Sequence, residues 1–466
     1  MSTQHELDEY MGKVRTLLSR QRQYFATGET RDVEFRLKFL RALRKSIIKH
    51  EQEILDALHS DLGKAPQESY FTELNIVLNE LKYHISNLED WVLPEKLSTP
   101  WQFLPSKSYV VNEPLGCVLI LSPWNYPFHL CLYPLIGAIS AGNCVIVKPS
   151  PLSPATNAVI RKIIQKIFPR QYVSVVDGDN ERTELIVREK FDLIFYTGGK
   201  KFAQTIMRAA AENITPVVLE LGGKTPVIID DESVIDLTAK RIAWGKFLSA
   251  GQTCVAPDYI YVKEPYLKEF ANTLKRYIEE FYGKDASLSD CYPKIVNSEN
   301  VTRLAGYLKD GRVIYGGKYD EASRYFSPTI MVDIKPDSPI TKEEIFGPIV
   351  PIFPFKTLDE PISYINSHPK PLALYYFGDS KMGLKVMERI QSGIACINDV
   401  VIPLGNHYLP FGGVGESGMG NYHGKHSFET FSHKRGYMVS YFRMDQIFKY
   451  VPFRYFSFAK RMLRKD

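Results

Sequence analysis

The sequence predicts an α/β protein: a doubly wound, mostly parallel sheet, a second α/β domain and a small β arm. Three observations lead there. From residue 115 onward the short β-branched runs LGCVLIL, CVIVK, YVSVV and DLIFY are separated by helical stretches, with PVVLE after them; such alternation puts helices on both faces of a parallel sheet. Between Leu115 and Val147 there is no Lys, Arg, Asp or Glu, as strands buried on both faces require. A further strand, PVIID at 226–230, opens a new alternation after Glu220.

Taken in order, Leu37, Leu40, Leu43, Ile47, Ile54 and Leu58 recur at three-to-four spacing and predict amphipathic helix over 35–60, closed by Gly63. The charge-free stretch is long enough to raise a membrane span. SPWNYP, PLIGA and AGN cut it instead into two buried strands around a buried helix. After PVIID come a helix ending before Cys254, the strand YIYV, a helix from about Tyr266 to Tyr282, and strands around RVIYG and SPTIMVDI. PSKSYVVNEP (105–114) and the region after Asn398 fit neither pattern; they read as an extended arm and a return strand, forming a subunit contact or a surface hairpin. The predicted division is 1–104 with 115–219 as the first domain, 220–397 as the second, 105–114 with 398–440 as the bridging element, and 441–466 as a basic, aromatic tail.

Composition narrows the function. A length of 466 residues suits two or three domains at roughly 150 residues each, and 44% apolar with 24% charged residues is ordinary for a soluble globular chain. A net charge of +5, scattered except at the C-terminus, gives nucleic-acid binding no support. The N-terminus MSTQHELDEYMGKV lacks the basic-then-apolar pattern of a secretory signal, so a cytoplasmic location is expected. The six cysteines show no CxxC pair and no metal-ligand spacing; free thiols and no metal follow.

Four stretches carry chemistry, each with a plain alternative. AGNCVIVKPSPLSPAT sets Lys148 at the end of a strand, where ligands of open parallel sheets bind, or where a lysine simply faces water. DLIFYTGGKKFAQTI is strand, glycine turn and helix, a shape that offers free N–H groups to phosphate or only a turn. No GxGxxG lies between a strand and a helix. VVLELGGKTP puts Glu220 at a strand tip, a general base if burial raises its pKa, otherwise a solvated carboxylate. SPWNYPFHL puts Asn125 at another, an oxyanion donor or a helix cap. Cys254 in LSAGQTCVAP is a nucleophile or one more packed thiol.

Together and in this order, SPWNYP, VKPS, YTGG, LELGGKTP, GQTC, EEIFGP and LPFGGVGESGMGNYHGKHSFETFSH resemble the aldehyde dehydrogenase superfamily, from about residue 10 to about 440. The C-terminal block with KPLALYYF is similar to the class 3 branch, which handles medium- to long-chain and aromatic aldehydes. The resemblance implies a Rossmann-like NAD(P)-binding domain, a catalytic domain and an oligomerisation arm, with oxidation of an aldehyde to a carboxylic acid through a cysteine thiohemiacetal and thioester. It implies Cys254 as nucleophile, Glu220 as general base and Asn125 as the side-chain half of an oxyanion hole. Lys148, Ser150, Gly198, Gly199, Glu344, Phe346, Pro123, Trp124, Leu221 and Gly222 would meet NAD or NADP, and Tyr126, His423 and Phe411 the aldehyde. A homodimer is the family's expectation.

The chain departs from the family at KPSP, where Pro151 stands in place of the usual Glu; lacking a carboxylate to oppose a 2′-phosphate, the site admits NADP as well as NAD. Lys200 and Lys201 would add attraction to phosphate. The aromatics Tyr126, Phe128, Trp244 and Tyr408 suit an apolar substrate tunnel or a packed core. The tail, IFKYVPFRYFSFAKRMLRKD, interleaves aromatics with Lys449, Arg454, Lys460, Arg461, Arg464 and Lys465. It has no apolar run of membrane-spanning length, and it suits an anionic membrane surface, the substrate mouth of a neighbouring subunit, or its own domain. Three other functions remain open: a CoA-acylating dehydrogenase, a non-catalytic cofactor-binding protein, and an esterase working without cofactor.

Overall fold

The computed structural model describes residues 3–231, 235–442, 445 and 449–464. Its first sheet has six strands in the spatial order Gly418–Met419, Val217–Glu220, Leu193–Thr197, Cys117–Leu121, Cys144–Lys148 and Val173–Val175. All pairings are parallel except that of Gly418–Met419. Cys117–Leu121, first of these strands in the chain, is central, and the chain winds outward from it in both directions. That makes its carboxyl end the switch point at which open α/β sheets bind ligands.

Burial explains why 115–147 carries no charge. Every residue of the Cys117–Leu121 and Cys144–Lys148 strands and of the helix His129–Ala141 between them is buried. An unpaired charge at any of these places would face a large desolvation cost. Lys148 ends its strand at the open edge of the sheet.

A second sheet of seven strands runs Arg312–Tyr315, Thr329–Val332, Ile349–Phe355, Tyr259–Lys263, Pro226–Ile229, Ala373–Phe377 and Ile394–Ile397. Only the Arg312–Tyr315 edge is antiparallel. The helix Ile235–Phe247 leads from Pro226–Ile229 back toward the first sheet and delivers Cys254 to the boundary between the two.

The structure corrects several expectations. The predicted single helix over 35–60 is two, Val33–Lys49 and Glu51–Leu62, broken at His50, where the Ser46 carbonyl takes both the His50 backbone N–H and its ring nitrogen (2.7 Å). Apolar spacing continues through the break, so periodicity alone hides it. The arm is three-stranded: Ser432–Val439 pairs along the whole of Lys107–Pro114, and Glu95–Leu97 joins on the other side. Most of 398–431 lies outside it, for Gly418–Met419 completes the first sheet beside Glu220. A two-residue strand is too short to leave a pattern. Glu220 itself closes a strand of the first sheet.

Candidate active site

The loops at the switch point and the end of the Ile235–Phe247 helix enclose a cavity of about 240 Å³. The loop after Cys117–Leu121 contributes Pro123, Trp124 and Asn125, that after Leu193–Thr197 contributes Gly198 and Gly199, and Val217–Glu220 contributes its last residue with Leu221 and Gly222. Opposite stand Cys254, Glu344 and Phe346; Leu130, Leu372, Leu404, Phe411 and Tyr422 supply apolar wall.

Cys254 reaches this place by an unusual turn. Ser249, Ala250 and Gly251 all have left-handed backbone, with φ of 50°, 52° and 75°, costly for the two that carry a Cβ. Four hydrogen bonds hold the turn: Glu68 accepts from the Ser249 N–H (2.8 Å), Gln252 Nε2 donates to the Ser249 and Lys294 carbonyls (3.0 Å each), and Val296 N–H donates to Gln252 Oε1 (2.9 Å). Gly251 admits no side chain, since a Cβ there would stand 2.3 Å from the Gly347 carbonyl oxygen.

Asn125 is fully packed and aimed. Its side-chain amide donates one N–H to the Gln252 carbonyl (2.9 Å), which leaves the second N–H for the cavity it lines. Glu220 is 3% exposed, and neither carboxyl oxygen has a hydrogen-bond partner among the described residues. Burial alone holds its carboxyl well above the usual carboxylate range. Burial also pushes the Cys254 thiol up to about 12, with Glu344 and then Glu220 adding to the effect, while the backbone N–H groups of Cys254 and Val255 favour the thiolate.

Glu344 lies over Gly222, where a Cβ would come within 2.0 Å of its carboxyl oxygen; burial raises its pKa to about 8. Phe346, next but one, has a left-handed φ of 44°, and its ring meets Trp124 edge-on at 5.6 Å. Asp258 accepts from the Ile345 N–H (2.8 Å), Arg303 donates to the Ile345 carbonyl (2.9 Å), and Lys224 bonds Asp258 and the Glu343 carbonyl, so this strained loop is fixed from both sides. The Lys224 of LGGK is thus a support for Glu344, a role its motif did not announce.

The cofactor set divides in two. Pro123, Trp124, Gly198, Gly199, Leu221, Gly222, Glu344 and Phe346 line the cavity. Lys148 and Ser150 lie farther along the carboxyl edge, Lys148 Cε being 3.5 Å from where a Gly178 Cβ would stand. Burial lowers the Lys148 amine to about 8 against the pull of Asp179 and Asp177, and the Ser150 hydroxyl accepts from the Leu152 N–H (3.3 Å). Gly199 caps the helix Lys200–Asn213 with open space above it, beside the backbone N–H donors of a helix N-terminus. Lys200 is paired with Glu416 at 2.6 Å, which reduces the phosphate attraction expected of it. A buried strand-end lysine and an open helix N-terminus along one edge, with Glu344 over Gly222 beyond them, fit a dinucleotide.

Of the three expected aldehyde contacts, Phe411 lines the cavity and Tyr126 and His423 do not. Tyr126 is buried with its hydroxyl 2.6 Å from Thr253 Oγ1. His423 is fully buried, stacked on Phe411 at 5.0 Å and packed on Tyr133 and Tyr422; burial keeps its imidazole neutral. Phe128 is core, while Trp244 and Tyr408 are exposed away from the cavity. Leu130, Leu372, Leu404 and Tyr422 went unread because single apolar residues in loops and helices give no periodic sign of the face they present.

Comparison with known proteins follows the same outline. The family described as "Aldehyde dehydrogenase family" matches residues 12–435. The 4,4'-diaponeurosporen-aldehyde dehydrogenase of Staphylococcus aureus is 43% identical over 434 residues, covering 92% of this chain and 95% of that protein. The dimeric NADP-preferring aldehyde dehydrogenase of Canis lupus familiaris is 43% identical over 440 residues, covering 94% and 97%. A substrate-bound Staphylococcus aureus AldH structure superposes with a TM-score of 0.94 at 41% identity, covering 97% of this chain and 99% of that one.

A thiol held near 12 by burial is almost wholly protonated at neutral pH. Alkylation of Cys254 by iodoacetamide, read on its own peptide by mass spectrometry, therefore accelerates about tenfold per pH unit from about pH 6 to about pH 9 in cofactor-free protein. A plateau near neutrality would contradict the desolvated thiol.

Proposed function

The chain belongs to the aldehyde dehydrogenase family, and from that premise we propose how its residues divide the NAD(P)-dependent oxidation of an aldehyde to a carboxylic acid. One observation carries the reading: Cys254, Glu220 and Asn125, from three separate segments, face one cavity. A chain that only bound cofactor would need none of the three together.

Cys254 is the nucleophile. Its sulfur attacks the aldehyde carbon as a thiolate, the thiol proton leaving to a water admitted with the substrate. The carbonyl oxygen becomes an oxyanion, received by the free Asn125 N–H and the Cys254 backbone N–H. The nicotinamide cofactor, when bound, supplies the hydride acceptor. Its holders would be Glu344 and Phe346 on one side, Trp124 and Gly198 on the other, and Lys148 with Ser150 toward the adenosine end. Collapse of the thiohemiacetal leaves a thioester on Cys254. Glu220, in its carboxylate form, then takes a proton from a water that adds to the thioester carbon and expels the Cys254 thiolate, and that base favours water over CoA as acceptor.

The apolar wall of Leu130, Leu404, Phe411 and Tyr422 supports a medium- or long-chain aliphatic or aromatic aldehyde. With no carboxylate at Pro151, use of NADP beside NAD is supported, and the dog relative is named NADP-preferring. That relative is also named dimeric, and the outer strand Ser432–Val439, exposed along nearly its whole length with Tyr437, Met438 and Val439 outward, is the surface we assign to a homodimer. The free cysteines support a reducing cytoplasm.

No helix among the described residues is long and apolar enough to cross a membrane. Residues 443, 444, 446–448, 465 and 466 of the tail lie outside the described ones. Phe442, Tyr450, Val451, Phe453, Tyr455, Phe456 and Phe458 stay exposed beside Lys449, Arg454 and Lys460. That pairing of aromatics with cations supports peripheral contact with an anionic membrane.

Two experiments test this division. Asn125→Ala lowers kcat by about 10²–10³ with the fold unchanged by circular dichroism, whereas a loss under about threefold would remove Asn125 from the oxyanion hole. Truncation after Phe442 leaves a dimer by analytical ultracentrifugation and abolishes co-sedimentation with anionic vesicles. Equal partitioning of full-length and truncated chains would rule out the membrane contact.

A further inference from the structure

The chain between the helix Glu51–Leu62 and the helix Asn75–Trp91 buries an ion pair that no step of the reaction uses. Lys64 and Glu73 are each fully buried, with Lys64 Nζ 2.6 Å from Glu73 Oε1. A buried pair is weak evidence for stability, because desolvation offsets the attraction. Its placement therefore asks for another reason.

The contacts of the pair converge on one loop. Lys64 Nζ donates to the backbone carbonyl of Asn125 at 2.8 Å and stands 3.9 Å above the ring centroid of Tyr126. Glu73 Oε2 accepts from the N–H groups of Phe128 and His129 at 2.9 and 3.2 Å. Four of the five residues from 125 to 129 are thus touched by the pair. The His129 N–H, four residues past the Asn125 carbonyl, is taken by Glu73, and the Asn125 carbonyl accepts from Lys64 instead. Glu73 sits in a π-helical turn, Tyr70–Leu74, the kind of local insertion that recurs where a side chain is being aimed.

From this geometry we infer that Lys64, balanced by Glu73, is a positioning residue for the oxyanion hole: it fixes the Asn125 backbone so that the side-chain amide faces the Cys254 sulfur. The inference rests on the role given above to Asn125. Lys64 touches neither substrate nor cofactor and acts only through that loop. Misplacement by about 1 Å of a group that binds the transition state costs rate without costing ground-state binding.

The experiment separates this role from a purely structural one. Lys64→Met strands the Glu73 carboxylate and lowers both Tm and kcat. Lys64→Met combined with Glu73→Gln leaves no buried charge, so Tm returns toward wild type. The expected result for this double variant is a kcat still reduced at least about tenfold, with unchanged KM for cofactor and an unchanged rate of Cys254 alkylation. Glu73→Gln alone leaves the Lys64 ammonium buried without its counter-charge and lowers Tm, but with Lys64 still in reach of the Asn125 carbonyl its kcat falls less than that of Lys64→Met. Recovery of kcat together with Tm in the double variant would overturn the inference, as would failure of the double variant to fold. If Asn125→Ala itself leaves turnover intact, the oxyanion assignment fails instead; an impaired Asn125→Ala beside a fully active double variant fails the Lys64 role alone.

Discussion

A thiol and two carboxyls share one desolvated cavity, and none of the forces acting on the thiol comes from a nearby cation. Each group is pushed toward its neutral form by the same burial, and each would raise the others further if it ionised first. The resting site therefore keeps Cys254 a thiol, and the same burial makes the carboxylate form of Glu220 a stronger base. On the division proposed above, negative charge becomes tolerable only where donors already wait for it, on the carbonyl oxygen of a bound aldehyde between the Asn125 amide and the Cys254 N–H. Chemistry is thereby confined to the arrangement in which substrate is present, and a free thiolate open to oxidation is avoided.

That constraint explains the backbone around the site. Bringing a sulfur, a carboxyl and an amide from three segments to within reach of one carbon requires turns that an unconstrained chain would avoid. The left-handed run Ser249–Gly251 and the left-handed Phe346 are two of them. Each costs of order 1–3 kcal/mol where a side chain is present, and each is held by polar side chains packed behind it: Glu68 on the first, Asp258 with Lys224 and Arg303 on the second. Burial raises the Glu68 carboxyl to about 7 despite Lys64 nearby. The ion pairs of this protein that matter for function are inside it, one layer behind the reacting groups, while its many surface pairs are exposed and individually weak.

Much of this was legible before any coordinates. β-branched runs and the charge-free stretch expose the parallel sheet because burial on both faces dictates composition directly. Strand-tip residues such as Glu220 and Lys148 could be read as a set because topology places strand ends together. The break at His50 and the Gly418–Met419 strand were not legible, since one depends on a side chain capping its own helix and the other on two residues. Tyr126 and His423 lie outside the cavity lining for a common reason: motif membership says that a residue is near a site, not whether its ring faces the cavity or the layer behind it. Lys64 and Glu73 gave no sign at all, because an isolated Lys and Glu nine residues apart look like any solvated surface.

The central claim is that Cys254 carries the oxidised substrate and Glu220 releases it. Its most direct measurement is intact-protein mass spectrometry of Glu220→Gln after mixing with benzaldehyde and cofactor. The account predicts one equivalent of reduced cofactor formed in a single burst and a benzoyl adduct that maps to the peptide containing Cys254 and persists. Steady turnover with no adduct, or an adduct on any other residue, would contradict it.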